Sequence, residues 1–206
     1  MWLRLLYVRA TWRREGAVCG TPAVYLTFDD GPVPEITPKI LDILRKKQVV
    51  ATFFVVGDNV RKYPTLLQQI VAEGHHVGNH TFHHLPGMKT SLAEYLHDVS
   101  ACDELLGHYL GEAPRHLMRP PYGRIRMSQY RELRNTGYEI VLWDVLTHDY
   151  NRKYSSDKLL TIIKKYTRPG SIVVFHDSVK SGERMLAALP KAIDWWQENG
   201  YELKTL

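Results

Sequence analysis

The chain predicts an α/β fold built on a parallel sheet, open or closed into a barrel. Three observations lead there. Strand-like and helix-like stretches alternate about seven times, the signature of βα units rather than of separate β and α halves. The clusters of His, Asp, Arg, Gly and Pro all fall where a strand-like stretch stops, and in parallel α/β folds sites form at the carboxyl ends of strands. A chain of 206 residues, 44% of them hydrophobic, can bury a sizeable core, and its length fits a single domain.

Taken in order, an apolar strand running to Phe28 stops at Asp29-Asp30-Gly31-Pro32. Ile36, Ile40, Leu41, Ile43 and Leu44 then recur at helical spacing, with Thr37-Pro38 as cap and first turn and Arg45-Lys46-Lys47 as the end. Ala51 to Val56 reads as a strand, Tyr63-Pro64 opens a helix closed by Gly74, and His76 to Gly78 is a short strand leading into Asn79-His80-Thr81-Phe82-His83-His84. Ser91 with Glu94 three residues on has capping-box spacing for a long helix that breaks between Gly111 and Pro114. A short strand around His116 to Met118 precedes Arg119-Pro120-Pro121-Tyr122-Gly123, whose prolines forbid a helix interior. A helix from Met127 to Asn135, a strand from Tyr138 to Trp143, a helix from Asp157 to Tyr166, a β-branched strand from Ser171 to Phe175, a helix from Met185 to Trp196 and a last strand from Tyr201 to Lys204 complete the alternation. No linker-like tract or internal repeat divides the chain. Residues 1–20 are set apart as an N-terminal extension and 21–206 as the domain.

The formal charge of +5 permits attraction to anionic polymers, but no basic run interleaves with aromatics, so a nucleic-acid partner is not expected. Two cysteines, Cys19 and Cys102, imply neither a disulfide framework nor a metal spacing. Near the start, Arg4, Arg9, Arg13 and Arg14 interrupt the apolar residues, leaving no uninterrupted stretch of signal-peptide or membrane-spanning length. Trp2, Leu5, Leu6 and Trp12 are read as a short amphipathic piece packing on the domain, with peripheral membrane contact as the lesser alternative. The compartment reads as cytoplasmic by this pattern.

Two adjacent carboxylates repel each other and find relief in solvent, a shared proton or a cation. Along a regular strand Asp29 and Asp30 point to opposite sides, so they converge only if the backbone bends, and Gly31 at positive φ followed by Pro32 is the expected bend. His80 and His84 are four apart and share one face of a helical turn, with His83 a geometric substitute. Two imidazoles and one carboxylate leave coordination positions open, as catalytic rather than structural metal sites do. A divalent metal that activates water is therefore expected.

Thr27-Phe28-Asp29-Asp30-Gly31-Pro32, His80-Thr81-x-x-His84, Arg119-Pro120-Pro121-Tyr122-Gly123, Trp143 through Tyr150, and Val174-Phe175-His176-Asp177 resemble, in order, the five motifs of the polysaccharide deacetylase family, the NodB-homology group of carbohydrate esterases. The match covers about Val24 to Tyr201. The resemblance implies a distorted (β/α) barrel with about seven strands that removes N-acetyl groups from N-acetylglucosamine units of peptidoglycan or a chitooligosaccharide-like glycan. It implies Asp30, His80 and His84 as metal ligands and Asp29 as general base, with Arg119 pairing with Asp29 to keep it aimed. It further implies the Tyr122 N–H in the oxyanion hole, His176 as general acid and Asp149 as the carboxylate that orients it; Asp144 and Asp177 stay open as rivals for that last role. Pro121, Trp143, Tyr150 and Val174 are expected to line the substrate pocket. Zinc is the expected metal, with cobalt, nickel or manganese as alternatives.

The chain departs from the family pattern at Leu146, where many members have Asp, at Tyr150, where Trp is common, and at Val174, where Leu usually lines the acetyl pocket. None of these removes a ligand, base or acid, but acyl and sugar preference are opened by them. Two further readings stand beside the deacetylase: a deformylase or cyclic-amide hydrolase on the same fold, and a silent carbohydrate-binding relative. An envelope glycan as substrate would require export, which conflicts with the start of the chain as read above.

Overall fold

A computed structural model describes residues 7, 9–14, 16–18, 20–110 and 116–206. Its centre is β2 (Thr21–Asp29), buried from Ala23 to Asp29. Beside it lie β3 (Thr52–Val55), β4 (His76–Asn79), β5 (Leu117–Met118) and β6 (Glu139–Ile140) on one side, and β8 (Ile172–His176) then β7 (Val145–Leu146) on the other. All of these neighbours pair in parallel, giving the seven-stranded order β6-β5-β4-β3-β2-β8-β7. The sheet curls into a distorted half-barrel with helices around it. Off this path, β1 (Ala17–Val18) pairs antiparallel and β9 (Glu202–Lys204) parallel with β2.

A parallel sheet covered on both sides has continuous apolar strands, and alternation then decides which layer each residue joins. Val24, Leu26 and Phe28 of β2, Phe53 and Val55 of β3, and Val173 and Phe175 of β8 meet the helices. Phe28 stacks on Phe53 at 5.0 Å and on Phe175 at 6.0 Å. The opposite parity, Ala23 and Tyr25 with Phe54, Leu117, Val141 and Ile172, fills the barrel interior. Continued upward, that inner parity ends on Thr27 and Asp29 in β2 and on Val174 and His176 in β8. The register pairs Asp29 directly with His176. One alternation rule thus buries the core and brings an acidic and a basic side chain to the same mouth.

The outer layer is formed by α1 (Thr37–Lys47), α2 (Gly57–Lys62), α3 (Pro64–Ala72), α4 (Leu92–Leu110), α5 (Met127–Asn135), α6 (Ser156–Tyr166) and α7 (Val179–Glu198). Thr37 does not cap α1 as expected; Ile36 holds that position, and the Thr37 hydroxyl accepts the Val33 N–H while donating to Asp177. Ser155 caps α6 through the Lys158 N–H at 3.2 Å. The described part of the N-terminal segment packs on the barrel. Thr11 bridges to Val141, Arg13 to Ser171, and the buried Tyr7 hydroxyl donates to the Ile125 carbonyl at 2.5 Å. Trp12 is half-buried in the same cluster, while Trp2, Leu5 and Leu6 lie outside the described residues. Among the described residues no helix is long and apolar enough to cross a membrane.

Candidate active site

Asp29 and Asp30 end β2, but the bend between them is not made where expected. Asp30 itself takes positive φ, +82°, a conformation Asp tolerates better than most residues. Gly31 is required for space instead: a Cβ there would lie 2.1 Å from Asp177 Oδ2. Asn59, on α2, donates to the Asp30 carbonyl at 2.8 Å, and the Val56 N–H donates to the Gly31 carbonyl at 2.9 Å. The turn is therefore clamped from β3 and α2, and Asp30 is aimed toward His80 and His84.

The two histidines also converge, and the expected helical turn is absent. Residues 80–86 form an irregular loop, with positive φ at Thr81 (65°) and His84 (54°). A helix would have left the His80 side chain without the support it has: Nδ1–H donates to the Arg119 carbonyl at 2.7 Å, which points Nε2 at Asp30. Nε2 of His80 and of His84 lie 3.7 and 3.4 Å from Asp30 Oδ1. One ligand atom from each of the three falls within 4.8 Å of the others, and among the described residues no other group of three such side chains does so. His83 turns away to Asp98, at 2.5 Å, and is no substitute ligand.

The chemistry of this donor set fits a divalent cation. Two imidazoles and a carboxylate match a three-ligand catalytic site, and a ring held through Nδ1–H by a carbonyl is oriented as metal-binding histidines usually are. Burial pushes the His80 imidazole down to about 4, so the ring is neutral and its Nε2 lone pair is free at neutral pH. For Asp30, burial alone would raise the carboxyl. The hydrogen bond with His84 and the charge of His176 lead the influences that outweigh it and hold the group at about 2.

Asp29 is 3% exposed and meets Arg119 Nη1 at 2.6 Å. Arg119 is fully buried and three further hydrogen bonds hold it: Nη1 also reaches Thr27 Oγ1 at 2.7 Å, Nη2 the Leu142 carbonyl at 3.1 Å and Nε the Val141 carbonyl at 3.3 Å. Its guanidinium lies 4.1 Å from the centre of the Phe54 ring. A buried cation is costly unless paired and hydrogen-bonded, and this one is both. The same residue thus fixes Asp29 with its side chain and His80 with its carbonyl.

On the other flank, His176 Nδ1 and its backbone N–H each donate to Asp149, at 2.7 Å to Oδ1 and 2.7 Å to Oδ2. Asp149 is fully buried, and Arg184 Nε donates to its carbonyl at 3.1 Å. Burial alone would lower the His176 imidazole; the hydrogen bond and charge of Asp149, with Asp30 and Asp29 beyond, raise it to about 9. The rivals are occupied elsewhere: Asp144 meets Arg168 at 2.8 Å and Ser171 at 2.9 Å, and Asp177 accepts the Thr37 hydroxyl at 2.6 Å.

Tyr122 sits at φ +60° in the turn Pro121–Gly123, which is tied by Gly123 N–H to Pro120 and Arg124 N–H to Pro121. Neither bond uses the Tyr122 N–H. The Tyr122 ring meets His84 edge-on at 4.9 Å, and Pro121 is buried beneath. Trp143 packs under the turn so closely that a Cβ on Gly123 would meet it at 2.5 Å. Tyr150 stands edge-on to His176 at 5.1 Å, and Val174 is fully buried two residues below His176.

Sequence reading missed several supports. Thr27 steadies Arg119, Asn59 the Asp30 carbonyl, and Arg184 the Asp149 carbonyl. Asp98 accepts the Phe82 and His83 N–H groups at 2.8 and 3.0 Å and so shapes the histidine loop. It carried a signal: a carboxylate on the same helical stripe as Tyr95, Val99 and Cys102 is a polar residue on a face that must be buried.

A family model described as polysaccharide deacetylase matches residues 18–141. A peptidoglycan-N-acetylglucosamine deacetylase of Bacillus cereus is 38% identical over 185 residues, covering 89% of this chain and 66% of that protein. A chitooligosaccharide deacetylase of a Bradyrhizobium species is 36% identical over 209 residues, covering 96% of this chain and 94% of that protein. The crystal structure of a peptidoglycan N-acetylglucosamine deacetylase in complex with 4-naphthalen-1-yl-N-oxidanyl-benzamide matches with a TM-score of 0.90 at 33% identity, covering 100% of this chain and 93% of that one. The family model covers more than half of the chain and the fold is shared along its whole length, and this chain belongs to the polysaccharide deacetylase family.

Proposed function

We propose that this protein is a metal-dependent hydrolase that removes acetyl groups from N-acetylglucosamine units of a glycan, peptidoglycan or a chitooligosaccharide. The observation that carries the reading is that Asp29, held by Arg119, and His176, held by Asp149, flank one cluster of Asp30, His80 and His84. Hydrolysing an amide needs a group that takes a proton from water and another that gives one to the leaving nitrogen, and a carboxylate and a protonated imidazole on opposite flanks suit the two tasks.

Asp30, His80 and His84 would hold a divalent cation, which would supply a lowered pKa to a bound water and polarisation of an acyl carbonyl. Asp29 takes the proton from the attacking water, its carboxylate kept in line by the Arg119 guanidinium. The Tyr122 N–H is offered to the oxygen on which negative charge develops. His176 is charged at neutral pH and gives its proton to the departing amine, while Asp149 stabilises the imidazolium and fixes the ring. Pro121, Trp143, Tyr150 and Val174 line the acyl and sugar pocket. Zinc is the metal that suits two imidazoles and a carboxylate best; cobalt, nickel and manganese bind such donors too.

Acetate release from chitooligosaccharides and peptidoglycan, with and without a chelator, tests the proposal. Release that stops with chelator and returns with metal is expected. Release indifferent to chelator, or none from any acetylated sugar, refutes it.

A further inference from the structure

The flank of the site beyond His176 carries positive charge that the reaction above does not use. Lys180 Nζ stands 5.8 Å from the centre of the Tyr150 ring, which itself packs on His176. The turn after Tyr150 exposes Arg152 and Lys153, and Lys158 is exposed on the first turns of α6. Among the described residues none of these four makes an ion pair, although Glu183 lies one turn along α7 from Lys180. Lys191 and Arg168, by contrast, pair with Asp157 and Asp144.

Rings lead outward along the same flank, from His176 to Tyr150 at 5.1 Å, to His148 at 5.9 Å and to Tyr154 at 6.0 Å. They end at a cavity of about 450 Å³ lined by His148, Tyr154, Lys158, Ile162 and Tyr166. Asp144 also lines it, but its carboxylate is engaged by Arg168 and Ser171. Aromatic faces suit the apolar faces of a sugar ring, and the ammonium groups of Lys180 over Tyr150 and of Lys158 in the cavity wall suit a carboxylate or phosphate on that ring, with Arg152 and Lys153 exposed on the adjoining turn. A neutral glycan would leave those cations without a partner.

We propose that this flank is a subsite for a glycan unit bearing an anionic substituent, a carboxylate or a phosphate, next to the unit that is deacetylated. The inference rests on the reading of the site as an N-deacetylase. Exposed charge pairs are individually weak, and the four cations together amount to about tenfold in KM at low salt.

The test compares three oligomers of N-acetylglucosamine with the metal-loaded protein: the neutral tetramer, its 6-O-carboxymethyl derivative and its 6-O-phosphate. KM for the anionic oligomers is expected about tenfold below that of the neutral one at roughly 0.02 M salt, and the gap closes at roughly 0.5 M, where charges are screened within a few ångströms. The quadruple variant Arg152→Gln/Lys153→Gln/Lys158→Gln/Lys180→Gln is expected to raise KM for the charged oligomers to the neutral value while leaving kcat and the neutral KM in place. A preference for one anionic oligomer identifies which group is read. Equal KM values for all three, or a quadruple variant that weakens the neutral oligomer equally, overturn the inference. Calorimetric binding of the same oligomers reads the charge preference without turnover, so lost turnover with the preference intact counts against the deacetylase reading alone.

Discussion

Replacing Asp149 by Asn changes one atom, and the structure says what that atom holds. Both carboxylate oxygens are used, Oδ1 by the His176 ring and Oδ2 by its backbone N–H, each at 2.7 Å. Asn has a single acceptor oxygen, so one of the two donors is left unpartnered in a buried place, a loss of about 1–3 kcal/mol. The charge also goes. Burial opposes the imidazolium, and the two contributions of Asp149 are the largest that overcome it and raise His176 to about 9. Without them the ring falls back toward or below its ordinary value near 6.5, so at pH 8 most molecules lack the proton that the leaving amine needs. Positioned proton donors contribute roughly 10²–10⁴-fold, and a loss of about 10²-fold or more in kcat at pH 8 is expected. The assay is acetate release as a function of pH on metal-loaded protein: the alkaline limb near 9 should move acidward by about 2 units. The sign for stability follows from the same shift. A base whose folded pKa is raised stabilises the fold fully below about 6.5 and ceases to do so as pH rises through about 9. Asp149→Asn should therefore lose about 3 kcal/mol more at pH 6 than at pH 10. An alkaline limb still near 9 in the variant would refute the reasoning, because the hydrogen bond and charge of Asp149 are the largest influences that raise the His176 ring.

Three further outcomes follow. Asp29→Asn should retain metal and lose turnover, whereas His80→Ala and His84→Ala should lose metal; metal content and rate measured on the same preparations decide it, and metal loss confined to Asp29→Asn would reverse the assignment. Gly31→Ala should destabilise the fold by about 2–4 kcal/mol, since its Cβ would lie 2.1 Å from Asp177 Oδ2; an unchanged Tm would show that the turn yields freely. Burial, with Asp30 adding to it and the Thr37 hydrogen bond opposing, pushes the Asp177 carboxyl up to about 7. An acid whose folded pKa is raised favours the fold at low pH, and that favour is lost between about 4 and 7, by up to about 4 kcal/mol. Asp177→Asn should flatten Tm across that range, and an identical pH profile in the variant would remove Asp177 from the account.

How much of this was legible follows from what periodicity can see. The strands ending at Asp29 and His176, the helix Met127–Asn135 and the alternation that makes a parallel sheet were readable, because their backbones are regular and apolar spacing reports regular backbone. Helix α2 was missed, since Gly57 to Lys62 buries only Gly57 and Val60 and offers no stripe. The start of α7 was missed for the opposite reason: Ser181 and Gly182 are buried by close packing, with Ile36 occupying the place of a Cβ on Gly182, so no large apolar residue marks the face. Tyr138 to Trp143 was read as one strand, but the ladder stops after Ile140, and Val141 and Leu142 instead pair with Thr11 and hand their carbonyls to Arg119.

The candidate site shows the deeper reason that residue types were legible there and geometry was not. Six described residues other than glycine adopt positive φ. Gln48 is the C-cap of α1, but Asp30, Thr81, His84, Tyr122 and His148 all belong to the turns that carry or adjoin the proposed ligands, the Tyr122 N–H and Asp149. Each such residue is held at a cost of about 1–3 kcal/mol and persists only where neighbours over-determine it. The neighbours are visible: Asn59 on the Asp30 carbonyl, Asn79 on the Thr81 N–H at 2.7 Å, and Trp143 under Gly123. Spacing arguments presume a helix or a strand, so they placed His80 and His84 together for the wrong reason and put the bend at Gly31 instead of Asp30. The proposed ligands converge because the backbone leaves both regular conformations at the mouth of the barrel, while the fully buried Arg119 ties two of the turns to one another through its side chain and its carbonyl.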